Sequence, residues 1–157
     1  MKPRLILMLL GAAVMAIAQK YDGPRPPKPD LPYLKHASEL VPTEVSEARE
    51  EKGKKDEITY AIPGAASSAR TPLASPIFLL QCDKLNAQAL QLFKLEPRNG
   101  RREINTSPKK PMKPIRVEVT RLESTRLYRI EVTDSLEPGE YSFSPDGSNQ
   151  VFCFQVY

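Results

Sequence analysis

Ile115-Arg116-Val117-Glu118-Val119 and Tyr128-Arg129-Ile130-Glu131-Val132 each place three large apolar side chains on one face and charges on the other, around the polar turn Glu123-Ser124-Thr125. An extended chain sends successive side chains to opposite faces, so this period of two predicts two half-buried strands. The same reading extends in both directions. Upstream, Ile77 to Cys82 is a continuous apolar run of the kind a central strand shows. Ala89 to Leu95 alternates, and Pro97-Arg98-Asn99-Gly100 turns it into Arg101 to Asn105. Ile58 to Ile62 alternates before the turn at Pro63-Gly64. Downstream, Glu140 to Ser144, the turn Pro145-Asp146-Gly147-Ser148, and Gln150 to Tyr157 complete the set. Short strands at this spacing, with little helical signal, predict an all-β fold: an antiparallel sandwich of about seven or eight strands over residues 58–157.

The last of these elements carries a resemblance. Leu136-Glu137-Pro138-Gly139-Glu140-Tyr141, followed by a turn and Val151-Phe152-Cys153-Phe154, resembles the L-x-P-G-x-Y hairpin that closes many immunoglobulin-like sandwiches in exported bacterial proteins. Pro-Gly turns the chain, and Tyr141 is suited to pack at the sheet corner with its hydroxyl on backbone. The whole chain is similar to uncharacterised secreted bacterial proteins of this kind. The resemblance implies an immunoglobulin-like fold and says nothing of activity, since one fold hosts many functions.

The N-terminal third reads differently. Residues 1–18 have the parts of a secretory signal: Lys2 and Arg4, an apolar run from Leu5 to Val14, and Ala16-Ile17-Ala18 before Gln19. Export, to periplasm or beyond the cell, is therefore expected. Residues 19–42 carry prolines at 24, 26, 27, 29 and 32, which fix φ and remove amide donors. That predicts an extended proline-rich arm in which Tyr33 and Leu34 would be the anchors of any docking ligand. Residues 43–57 are dense in Glu and Lys, with favourable i,i+4 pairs from Glu50 to Lys54 and Glu51 to Lys55, as in a short surface helix or a solvated hairpin arm. No later segment is apolar enough to span a bilayer, so a mature chain without transmembrane segment is expected.

Charge narrows the partners. The formal net charge of +4 falls to +2 once Lys2 and Arg4 are subtracted, which does not describe a general polyanion binder. The surplus is local: Arg98, Arg101, Arg102, Lys109, Lys110, Lys113 and Arg116 are matched over their stretch only by Glu103. Asn105 to Pro114 reads as a stiff exposed connection in which Lys109, Lys110 and Lys113 form a contact loop suited to an envelope surface, or simply keep neighbouring edge strands apart. Nucleic acid is disfavoured, because aromatic residues do not interleave with these cations.

Chemistry-bearing residues are sparse. His36 is the only histidine and lies in the arm, where nothing would hold its ring for acid–base work. No two ligands have zinc-chelate spacing, no glycine-rich phosphate loop is present, and the acids occupy charge runs, so neither metal, cofactor nor catalytic residues are expected. Cys82 and Cys153 are the only cysteines. An oxidising compartment would allow them to pair, whereas Phe152, Phe154 and Val156 as the inward face would turn Cys153 away; both readings stand. The sequence thus predicts a non-catalytic exported interaction or envelope-associated module. Its alternatives are a carbohydrate- or surface-polymer-binding sandwich, or a small hydrolase should two buried acids converge.

Overall fold

The computed structural model describes residues 20–157, and the expected signal peptide lies outside them. In chain order the described strands are β1 (Tyr33–His36), β2 (Glu39–Pro42), β3 (Glu44–Glu47), β4 (Arg49–Lys52), β5 (Ile58–Pro63), β6 (Arg70–Thr71), β7 (Ile77–Gln81), β8 (Gln91–Arg98), β9 (Arg101–Thr106), β10 (Val117–Glu123), β11 (Leu127–Val132), β12 (Gly139–Ser144) and β13 (Gln150–Val156). One 3-10 turn, Ala87–Ala89, interrupts them. The fold is an all-β, two-sheet, sandwich-like arrangement. One sheet has five strands in the order β10-β11-β7-β1-β2. The other has eight: β3-β13-β12-β8-β9-β5-β4, with β6 running parallel along the end of β13.

The strand count exceeds the expected seven or eight because the sandwich begins well before residue 58. Residues 33–52 supply four strands, where an arm and a helix or hairpin arm were expected. The prolines at 24 to 32 all precede β1, and Pro42 ends β2 at a sheet edge, where its missing N–H breaks no ladder. β1 lies between β7 and β2 as an inner strand. Tyr33 is only 4 % exposed and Leu34 fully buried, so these two are core residues and not anchors of a free arm. The charged segment 44–52 is extended because one of its faces is covered, and Glu51 pairs across the sheet with Arg101 at 2.8 Å instead of with Lys55. Residues 20–32 do not hold the domain at a distance. Arg25 and the Tyr21 N–H both donate to the Glu123 carboxylate, and Asp30 accepts backbone N–H groups of Asp83, Lys84 and Leu85.

Turn chemistry follows the residues. Between β8 and β9, Asn99 and Gly100 both have positive φ, 52° and 75°, as the tight hairpin turn requires. Tyr141 Oη donates to the Glu137 carbonyl at 2.7 Å, tying β12 to the turn that precedes it.

The eight-stranded sheet rolls up. Its two edge strands, β3 and β4, are consecutive in the chain with only Ala48 between them, so one bent strand pairs with β13 through its first half and with β5 through its second. The Ala48 N–H donates to the Asn149 carbonyl at the bend. The sheet consequently encloses a second interior. Phe78, Phe143, Phe152, Phe154, Leu92 and Tyr141 belong to the main core between the two sheets, with Phe78 and Phe143 edge-to-face at 4.8 Å. Ile62, Leu95, Val151 and Cys153 pack separately inside the roll. Among the described residues no helix is long and apolar enough to cross a membrane.

Candidate functional site

Alternation along the rolled strands decides what faces the second interior. On β12, Tyr141 and Phe143 go to the main core while Glu140 and Ser142 go to the roll; on β13, Phe152 and Phe154 go one way and Val151 and Cys153 the other. Arg102 and Ile104 of β9 share the roll with Ile62 of β5 and Leu95 of β8. Unlike the main core, this space holds charge.

At one end of the roll Arg102, 1 % exposed, is surrounded by acceptors. Its Nε donates to the Gly64 carbonyl at 3.0 Å, and its Nη2 donates to Glu44 Oε1 and to the Pro63 carbonyl, both at 2.6 Å. Its Nη1 stands 3.7 Å from Glu140 Oε2, a charge contact without a hydrogen bond. The two acids also hold the loop above: Glu140 Oε2 accepts from the Ser67 N–H at 3.0 Å and Glu44 Oε2 from the Ser68 N–H at 2.8 Å. Gly64, at φ 87°, takes the left-handed conformation with which the chain leaves β5 while its carbonyl meets Arg102. Burial pushes the Glu140 carboxyl above the usual carboxylate range, the Ser67 N–H and the Arg102 charge partly offset that, and neighbouring Glu44 adds to the rise. Chemically the cluster is a clamp: one guanidinium and two carboxylates fasten the 63–68 loop over this end of the roll.

The other end is open. A cavity of about 310 Å³ lies there. Its walls are Tyr60, Ile62, Phe93, Ile104 and Val151; Ser142 lies at its floor, and Glu50, Gln91 and the turn Pro145 to Asn149 surround its opening. The Ser142 hydroxyl is fully buried and has no hydrogen-bond partner among the described residues. The connection 107–114 crosses this end: a turn closes between Ser107 and Lys110, the Met112 N–H donates to Thr106 Oγ1, and the Met112 side chain lines the cavity. A larger hollow of about 680 Å³ sits at the bend of β3 into β4, where Arg101 is already paired with Glu51 and Glu103.

The expected site residues distribute as follows. Lys110 and Lys113 flank a neighbouring hollow of about 200 Å³ on the far side of Met112 and do not line the cavity itself; Lys109 is exposed at the tip of the loop. Tyr33 and Leu34 lie in the core, remote from any contact role. His36 is part of β1, its Nε2 3.0 Å from Thr71 Oγ1. Cys82 and Cys153 are both free and buried, in different interiors, so of the two readings left open by the sequence the structure has the unpaired one. Burial pushes the Cys153 thiol up to about 12, so it stays protonated and packs as a small apolar group.

Glu140, Ser142, Tyr60 and Met112 were not singled out from sequence, and Arg102 was read only as part of a basic stretch. A signal for them exists: β8 carries apolar residues at both parities, Leu92 against Phe93 and Leu95, which marks a strand buried on two faces. The polar parity of its neighbours, Glu140 and Ser142, then has to be inside as well. Comparison of the chain with protein-family models, with curated proteins and with solved structures finds no match.

Proposed function

We propose that the protein is an exported, non-catalytic interaction module that receives its partner at the open end of the rolled sheet, beneath the 107–114 connection. The observation that carries this reading is the pairing of an apolar-walled cavity with exposed charged residues at its opening. Such a mixture of apolar wall and few polar groups is what recognition sites use to fix orientation. The two acids whose convergence would favour a hydrolase clamp a guanidinium and a loop, and that engagement supports a structural role for them. Of the exposed aromatic side chains a surface-polymer binder would need, Tyr157 has one ring face occupied by the Arg70 guanidinium, 4.4 Å from its centroid.

The test is photo-crosslinking of the mature protein in its native envelope, with the photoreactive side chain placed at Lys110, Lys113 or, as a control on the five-stranded sheet, Arg129. A partner captured from 110 and 113 but not from 129 supports the reading. Capture from 129 alone moves the contact to the other sheet and overturns it.

A further inference from the structure

The connection 107–114 is held to the roll by one side chain. It contains no strand, and its hydrogen bonds among the described residues stay within 106–112: those of the turn between Ser107 and Lys110, and the Met112 N–H on Thr106 Oγ1. Lys109, Lys110 and Lys113 form no ion pair among the described residues. From Pro108 to Pro114 every residue is exposed except Met112, which is half-buried. Met112 lines both the cavity of about 310 Å³ and the neighbouring hollow of about 200 Å³, as do Phe93 and Ile104, so its side chain stands between the two spaces on an apolar bed. A thioether suits that position, being unbranched, polarisable and free of any need for a hydrogen bond. The same group is the one most open to an oxidant. Met112 is the only methionine of residues 19–157, and the chain has no tryptophan. Cys82 and Cys153 are buried, and burial pushes both thiols up, so neither supplies the thiolate that reacts with peroxide.

We propose that Met112 is an oxidation-sensitive latch: hydrogen peroxide converts its thioether to the sulfoxide, and the 107–114 connection then leaves the roll, joining the two hollows into one groove. In the step a sulfur lone pair attacks one peroxide oxygen. An S–O bond forms as the O–O bond breaks, the proton on the transferred oxygen passes to the departing hydroxide, and water leaves. Sulfur loses two electrons and the peroxide gains them. The product carries a polar oxygen, and neither Phe93 nor Ile104 offers it a donor, so keeping it seated on them leaves a polar group unsatisfied against an apolar wall. Methionine sulfoxide reductases return the sulfoxide to the thioether, which makes the change reversible. As a control of partner access the latch rests on the interaction-module reading, which places the partner beneath this connection; as a property of the chain alone it does not.

The experiment treats the purified mature chain, isotope-labelled in the backbone and in the methionine methyl group, with hydrogen peroxide, and follows it by NMR and by peptide-resolved mass spectrometry. The expected result is one added oxygen on the Met112 peptide, gained roughly tenfold faster than on the peptides of Cys82 or Cys153. The Met112 methyl resonance should move to the sharp signal of a solvent-exposed sulfoxide, and the amide resonances of Tyr60, Phe93 and Ile104 should shift while those of β10 and β11 stay. Met112→Leu should keep the closed spectrum and lose the response to peroxide. Met112→Gln, which puts a polar group in the same place, should show the open spectrum without oxidant. Oxidation of a cysteine ahead of Met112 overturns the proposal, as does an oxidised Met112 with the Phe93 and Ile104 resonances unmoved. Shifts that spread to β10 and β11, a response to peroxide that persists in Met112→Leu, or a closed spectrum in Met112→Gln also overturn it. No partner enters this measurement, so its failure leaves the interaction reading to the crosslinking experiment, and failure of the crosslinking leaves the latch standing.

Discussion

β12 and β13 build two interiors from alternate residues, and the two follow opposite rules. Tyr141, Phe143, Phe152 and Phe154 face a core held by ring packing, with Tyr141 and Phe154 stacked at 5.6 Å. Glu140, Ser142, Val151 and Cys153 face a roll where a guanidinium and two carboxylates close one end and a lone hydroxyl lies at the other. The first interior derives stability from area removed from water and from close-packed shape. The second spends some of that on charges taken out of water and keeps hydrogen-bonding capacity unused. The two faces of one hairpin thus separate an interior that is closed and apolar from one that holds charge and is open at one end.

The comparison is most sharply broken by substitutions that remove each interior's central group. Phe154→Ala leaves a cavity where three other aromatic rings meet and should cost about 3–5 kcal/mol in denaturant unfolding. Arg102→Ala should cost about 3–5 kcal/mol for a different reason, since Glu140, Glu44 and two carbonyls lose their buried cation. The two mechanisms separate by repair. Phe154→Leu should recover much of the loss. Arg102→Ala should recover when Glu140→Gln and Glu44→Gln are added, because the stranded charges go with them. A repaired triple variant no more stable than Arg102→Ala would show that the roll is held by packing and not by pairing.

Acidity gives an intermediate effect with opposite signs at two sites. Burial raises Glu140 in the folded chain, so its proton is bound more tightly folded than unfolded. Its contribution is fully present at low pH and is lost as pH rises through the folded value. Glu140→Gln should therefore flatten the stability profile between neutral pH and the ordinary carboxylate value of 4.5. Glu123 is held at about 2 by the hydrogen bond from Arg25, so its contribution is present above 4.5 and is lost as pH falls toward 2. Glu123→Gln should remove that acid-side loss. Unfolding curves across this range check both, and a Glu140→Gln profile parallel to that of the unmodified chain would contradict the first.

Much of the main core was legible. The inward parity of Phe152, Phe154 and Val156 in β13 is what the structure shows, as is the extended pairing of Val117, Val119, Ile130 and Val132, because one covered face produces clean alternation. The roll was not legible for the same reason. Glu140 and Ser142 look outward when their strand is assumed to have one covered face, and Arg102 beside Arg101 looks like a basic run. Residues 44–52 spaced their charges as a surface helix would, since the covering of Ala48 and Glu44 depends on β13, about a hundred residues away. Tyr33 and Leu34 were read through the prolines before them, although the four residues of β1 contain none. Composition described those segments; only long-range pairing decided them.

Smaller effects test the edges of the account. Tyr141→Phe removes the bond to the Glu137 carbonyl and leaves the ring in place, so a loss of about 1 kcal/mol is expected. Reducing agent should leave the melting temperature unchanged, since Cys82 and Cys153 are free; a fall on reduction would show a bridge.

Ser142→Ala tests the separation of the two interiors most directly, by equilibrium unfolding of the chain alone. If the roll carries a polar group that its packing does not use, removing it relieves a buried, unpartnered hydroxyl, and the variant should be as stable as the unmodified protein or slightly more so. A loss of more than about 1 kcal/mol would mean that the hydroxyl already serves the fold, and the two interiors would then follow the same rule.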